Sequence, residues 1–89
     1  MIRKRIYFSG RVQGVGFRYT AKMKADSLGL TGYVMNLSDG RVLMEAQGES
    51  LLIEKLVASM NTDSYIQVTE IEAEEIPING NEASFSYRF

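Results

Sequence analysis

The sequence predicts an α+β fold in which two helices pack on one face of an antiparallel sheet. Three observations carry this. Apolar residues alternate with polar ones near both ends of the chain. They recur at helical spacing over residues 17–28 and 50–60. A tight-turn signal, Ser38-Asp39-Gly40, joins two short runs rich in strand-forming residues. Period two marks half-buried strands, and period 3.6 marks helices with one buried face.

From Arg5 to Val12, Ile6, Phe8, Gly10 and Val12 fall on one face and Tyr7, Ser9 and Arg11 on the other, which is a strand. Gly14 and Gly16 end it. From Phe17 to Leu28, Phe17, Ala21, Ala25 and Leu28 share a helical face while Lys22 and Asp26 point away. Gly29 is placed to close that helix in the left-handed conformation. Tyr33 to Leu37 and Arg41 to Gln47 form a hairpin, with Val42, Met44 and Ala46 inward. Ser50 is expected to cap a helix running to about Met60, its apolar face made by Leu52, Ile53, Leu56, Val57 and Met60. Ile66 to Glu74 is a strand whose apolar set changes phase between Val68 and Ile71, the mark of a bulge or twist. Ala83, Phe85, Tyr87 and Phe89 alternate in a last strand.

The order is β-α-β-β-α-β with an additional C-terminal strand, the ferredoxin-like sandwich. Right-handed crossovers put its first and third strands side by side in the middle. The 89 residues leave room for one domain, 1–89.

Composition narrows the chemistry. The chain is 45% apolar and 24% charged, which suits a folded globule. It has no cysteine, so disulfides and thiolate metal sites are excluded. It has no histidine either, so no imidazole serves as base or ligand. Arginine, lysine, amide, carboxylate, hydroxyl and backbone groups remain. The basic start Arg3-Lys4-Arg5 is followed by too short an apolar run for a leader, and no stretch approaches the ~18 apolar residues of a membrane span. A cytoplasmic protein without membrane association is expected. A net charge of −1 speaks against bulk nucleic-acid binding. That average hides a split: residues 1–44 carry a net +6 and residues 45–89 a net −7. Either the charges are solvated throughout or a basic end attracts a small anion.

The informative segment is Gly10-Arg11-Val12-Gln13-Gly14-Val15-Gly16-Phe17-Arg18, which joins a strand to a helix N-terminus. Glycines there let successive N–H groups converge in an anion nest, and the helix adds unpaired N–H groups and its positive dipole end. Arg18 in the first turn opposes that dipole unless an anion lies between them. Its planar fork suits a phosphate. The segment is neither a Walker A loop nor a dinucleotide fingerprint. On these grounds alone it is structural punctuation or a phosphate or carboxylate cradle.

Phe8-Ser9-Gly10-Arg11-Val12-Gln13-Gly14-Val15-Gly16-Phe17-Arg18 resembles the first signature of the acylphosphatase family. Gly32-Tyr33-Val34-Met35-Asn36-Leu37-Ser38-Asp39-Gly40-Arg41-Val42, followed by Gly48, resembles the second. The similarity runs from about Arg5 to the end. It implies hydrolysis of an acyl phosphate to carboxylate and phosphate, without metal, cofactor or covalent intermediate. It implies that Arg18 binds the phosphoryl group together with N–H groups of the loop (Gln13, Gly14, Val15, Gly16 and Phe17), and that Asn36 positions the attacking water. The sequence departs from the family pattern at Phe8, where an aliphatic residue is usual, and at Met35, where a basic one is common. The first is a packing change; the second removes a positive charge near the site.

Taken singly, Asn36 reads as a hairpin residue and Arg18 as a surface cation; the paired motifs raise both. Gln13 is a candidate to orient the loop through its side chain. Arg11 and Lys22 read as solvated, able to steer substrate. The partner expected is a small-molecule acyl phosphate met by a monomer. Two competitors share the fold. An RNA-recognition domain needs exposed aromatics on both central strands, and Arg41–Gln47 has none. A non-catalytic anion-binding domain would keep the cradle without turnover.

Overall fold

The first strand is longer than its apolar alternation. In the computed structural model, which describes residues 1–62 and 64–89, β1 spans Ile2–Arg11. The basic run at its start hides the strand from a hydropathy reading, because Arg3 is buried by ion pairing. There follow α1 (Phe17–Ser27), β2 (Thr31–Asn36), β3 (Val42–Gly48), α2 (Ser50–Ser59), a 3-10 turn (Met60–Thr62), β4 (Gln67–Ile76) and β5 (Phe85–Tyr87).

The sheet order is β4-β1-β3-β2-β5, with β1 and β3 adjacent in the middle as expected. Four strands pair antiparallel. The fifth departs from the antiparallel expectation: β5 runs parallel to β2, from Gly32↔Phe85 to Val34↔Tyr87, so the sheet is mixed. The reason is topological. The segment after β4 carries the chain from one edge of the sheet to the other, where it re-enters beside β2. Because β1 and β2 each oppose β3, they run the same way, and so does β5. The C-terminal ends of β1, β2 and β5 therefore meet at one end of the sheet.

Both helices lie on one face. The core between them and the sheet is filled by Ile6 and Phe8 of β1, Val12 just beyond it, Phe17, Ala21 and Ala25 of α1, Met44, and Ile53 and Leu56 of α2, all nearly inaccessible. Phe8 packs its ring 4.9 Å from Phe17, so the departure from an aliphatic residue fills the core beneath the loop between β1 and α1. α1 closes on Gly29: the Leu30 N–H donates to the Ala25 carbonyl (3.0 Å) and the Gly29 N–H to that of Asp26 (3.1 Å). Ser50 does not cap α2. Glu49 occupies the cap in extended conformation and Ser50 is the first helical residue, with no side-chain cap bond. The phase change in β4 is a bulge, since Ser9 pairs with Glu70 but Gly10 with Val68, leaving Thr69 out of register.

The other face of the sheet carries a charged network absent from the sequence reading. Arg3 Nε donates to Glu45 Oε1 (2.9 Å) and Arg3 Nη1 to Glu82 Oε1 (2.7 Å). Arg5 Nε and Tyr33 Oη both donate to Glu45 Oε2, at 3.0 and 2.8 Å. Burial pushes the Glu45 carboxyl up, but the bonds from Tyr33, Arg3 and Arg5 outweigh it and hold the group below the usual carboxylate range. Gln47 ties Asn79 to the same patch through two bonds, 2.8 and 3.0 Å. The charge split along the chain thus becomes ion pairing, because β1 lies between β3 and β4.

Candidate active site

At the end of the sheet where β1, β2 and β5 finish, a small cleft of about 90 Å³ opens among Val12, Gly14, Gly16, Phe17, Arg18, Asn36 and Tyr87. Larger hollows lie elsewhere, one of about 360 Å³ beside Val57, Asn61 and Ile71, but it has an amide without a cation, and those lined by Arg5 or Lys4 have a cation without an amide side chain. Among the described residues no carboxylate lines the small cleft.

Its floor is the β1–α1 loop. Val12 and Phe17 are buried at either end and pin it to the core. Between them Gly14 (φ 73°) and Gly16 (φ 79°) adopt left-handed conformations, and no atom lies within 4 Å of where a Cβ would sit on either. Here the backbone conformation, not crowding, calls for glycine. Gly16 is the N-cap of α1, which has neither a side-chain cap nor an acidic residue in its first turn. The main-chain N–H groups of Gly14 to Arg18 meet no acceptor among the described residues. Unpaired donors at a helix start, with the dipole behind them, form a positive, concave surface.

Arg18 and Asn36 line the same cleft. Asn36 ends β2, opposite Val42, and its carboxamide makes no protein hydrogen bond among the described residues. Both its donor and its acceptor are open to a guest. Among the described residues the Arg18 guanidinium gives one bond to protein, Nη1 to the Arg88 carbonyl at 2.8 Å, and lies 4.7 Å from the Tyr87 ring centroid and 5.3 Å from that of Phe89. Its other N–H groups remain for a ligand. A guanidinium, unpaired N–H groups and an amide lining one cleft are groups that suit a tetrahedral oxyanion.

The other candidates divide. The Gln13 side chain turns away from the cleft. Its Nε2 donates to the carbonyls of Leu37 (2.8 Å) and Arg41 (2.9 Å), so both amide hydrogens are spent on the hairpin and only its main-chain N–H faces a ligand question. Val15 packs against the core. Lys22 pairs with Asp26 (2.8 Å) and reaches the Phe85 carbonyl (3.2 Å); Arg41 pairs with Asp39 (2.8 Å). The sequence places Tyr87 in the last strand but gives neither Tyr87 nor Arg88 a place at the site. The available signal was the alternation of the last strand, which puts Tyr87 and Phe89 on one side and Arg88 on the other.

The acylphosphatase family model matches residues 4–87. The acylphosphatase of Ligilactobacillus salivarius (strain UCC118) is 45% identical over 86 residues, spanning 93% of this chain and 96% of that protein. That of Clostridium perfringens (strain 13 / Type A) is 44% identical over 87 residues, spanning 97% and 98%. Among solved structures, the acylphosphatase from Bacillus subtilis superposes with a TM-score of 0.92 at 37% identity and covers the whole of both chains. Among the described residues no helix is long and apolar enough to cross a membrane.

Proposed function

The chain belongs to the acylphosphatase family, and we propose that it hydrolyses the carboxyl–phosphate bond of small acyl phosphates, with Arg18 and Asn36 as its catalytic residues. The observation that carries this reading is one cleft lined by the Arg18 guanidinium, the Asn36 amide and the glycine-rich loop before α1.

The phosphoryl group sits on the N–H groups of the loop, Gln13 to Arg18, with the Arg18 guanidinium beside it. A cation about 4 Å from a phosphoryl oxygen contributes on the order of 4 kcal/mol at an effective dielectric near 20, before desolvation. The part of that interaction that tightens as charge shifts in the transition state lowers the barrier. Asn36 accepts a hydrogen bond from water through Oδ1 and turns a lone pair of that water toward phosphorus, opposite the leaving carboxylate. The water oxygen–phosphorus bond forms, the phosphorus–acyl oxygen bond breaks, the carboxylate leaves with its electron pair, and the protons of the water stay with phosphate and solvent. A carboxylate is a good leaving group, so no strong base is called for. Positioning and charge stabilisation do the work, as in phosphoryl transfer generally. The reading takes the protein as a cytoplasmic monomer that needs no metal or organic cofactor.

The test is release of phosphate from benzoyl phosphate by the purified protein in the presence of EDTA. Turnover that inorganic phosphate inhibits competitively is expected. A protein that neither hydrolyses benzoyl phosphate nor binds phosphate refutes the reading.

A further inference from the structure

Arg88 lies outside the cleft, yet its backbone holds the guanidinium within it. Strand alternation carried past β5 sends Tyr87 and Phe89 toward Arg18 and the Arg88 side chain to the opposite face. On that face the Arg88 guanidinium stacks 3.8 Å from the Tyr33 ring centroid. Tyr33 is itself fixed, its hydroxyl donating to Glu45 at 2.8 Å. The Arg88 N–H donates to the Val34 carbonyl at 2.9 Å. One residue is therefore held by its side chain on one face and by its N–H in the sheet, while its carbonyl accepts from Arg18 Nη1 at 2.8 Å. Little else secures this end of the chain. Phe89 is 94% exposed, and the ring contacts it makes among the described residues are with Tyr87 (5.3 Å between centroids) and Arg18.

We infer that Arg88 is a positioning residue: the Arg88–Tyr33 stack on the open face of the sheet fixes the carbonyl and the two aromatic rings that aim Arg18 into the cleft. This deepens the reading of Arg18 as the phosphate-holding group and rests on it. Arg18 stands in the first turn of α1, where a cation gains nothing from the dipole. Without the carbonyl and ring contacts its long side chain regains several rotamers, and a phosphate must then order it on binding.

The experiment compares wild type, Arg88→Met and Arg88→Lys by kcat and KM for benzoyl phosphate and by the inhibition constant of inorganic phosphate, at low salt and at about 0.5 M salt, where exposed charges are screened. Methionine keeps the backbone and an apolar stem but loses the stacked cation. Its phosphate affinity is expected to fall about three- to tenfold, the range of a cation–π contact, and to stay reduced at high salt. Lysine, which still offers a cation to the ring, is expected to recover to within about twofold. Melting temperatures should match wild type. Tyr33→Leu should reproduce the loss and add nothing further in combination with Arg88→Met; if that variant does not fold, the Arg88 series decides alone. Unchanged phosphate affinity in Arg88→Met overturns the inference, as does a loss that disappears at high salt, which reports only the missing charge. A wild-type protein that neither turns over benzoyl phosphate nor is inhibited by phosphate removes the functional reading and this inference together. An active wild type matched by Arg88→Met removes the inference alone.

Discussion

The Gln13 side-chain amide donates to the Leu37 carbonyl at 2.8 Å, one residue beyond Asn36, and to the Arg41 carbonyl at 2.9 Å. The glycine-rich loop before α1 is thereby stapled to the hairpin that carries Asn36. The spacing between the two halves of the site depends on this pair of bonds.

Gln13→Ala should consequently cost more in turnover than in stability. Two bonds at about 1 kcal/mol each predict a loss of roughly 1–2 kcal/mol in unfolding free energy. A displacement of the loop against Asn36 should lower kcat by at least about tenfold, since small misplacements of reacting groups are costly. Urea titration and steady-state kinetics on the same preparation check both. A variant with full kcat would show that the staple serves the fold only.

Arg18→Ala and Asn36→Ala should both lose most activity, by about a hundredfold or more, as expected when a group aimed at developing charge or at the nucleophile is removed. They should differ in inhibition. Without Arg18, phosphate no longer competes at millimolar concentration; without Asn36, phosphate still binds while kcat falls. Circular dichroism should be unchanged in both, because neither side chain is part of the core.

Glu45 gives the fold an acid limit. Its carboxyl titrates below the ordinary value of 4.5 in the folded chain, so the unfolded chain binds protons first as pH falls. The stabilisation is complete above about pH 4.5 and is lost progressively below it. Glu45→Gln should flatten this part of the stability–pH curve. At neutral pH it should cost about 2–3 kcal/mol, because Arg3 stays buried with only Glu82 opposite its charge. Chemical denaturation between pH 3 and 7 measures both effects.

Gly32 has φ 140°, and a Cβ there would meet the Glu45 carbonyl oxygen of the neighbouring strand at 1.8 Å. Gly32→Ala should destabilise by about 3 kcal/mol or more, with a drop in melting temperature above about 12 °C for a chain of this size. Gly14→Ala faces no such crowding and should cost about 1–2 kcal/mol from its left-handed backbone alone. A scanning-calorimetry comparison separates the two.

Local chemistry was readable from the sequence wherever one segment carried its own signal. Gly29 announced the end of α1, Ser38-Asp39-Gly40 the hairpin, and the slip between Val68 and Ile71 the bulge at Thr69. The convergence of Arg18 and Asn36 on one cleft is a different matter. Each residue alone is ordinary, and only the two long motifs pointed to both. The strand directions that bring them together are set by long-range pairing. The same holds for what surrounds them. Arg3 reads as a solvated cation until β1 is placed between Glu45 and the segment carrying Glu82. Tyr87 and Arg88 read as the end of a strand until β5 is laid parallel to β2. Ser50 looked like a helix cap because a serine before an apolar run usually is one, yet the extended conformation begins one residue earlier, at Glu49.

One edge of the sheet has a consequence for solution behaviour. β4 is the outermost strand, ten residues long, and its outer main-chain groups have no strand partner among the described residues. Such an edge invites another chain to add itself. Glu70, Glu72, Glu74 and Glu75 stand along it with no basic residue in the strand, so two copies meeting edge to edge would bring rows of carboxylates together. Repulsion of that kind works as a gatekeeper against fibril growth, so the row of carboxylates keeps each copy from templating its twin.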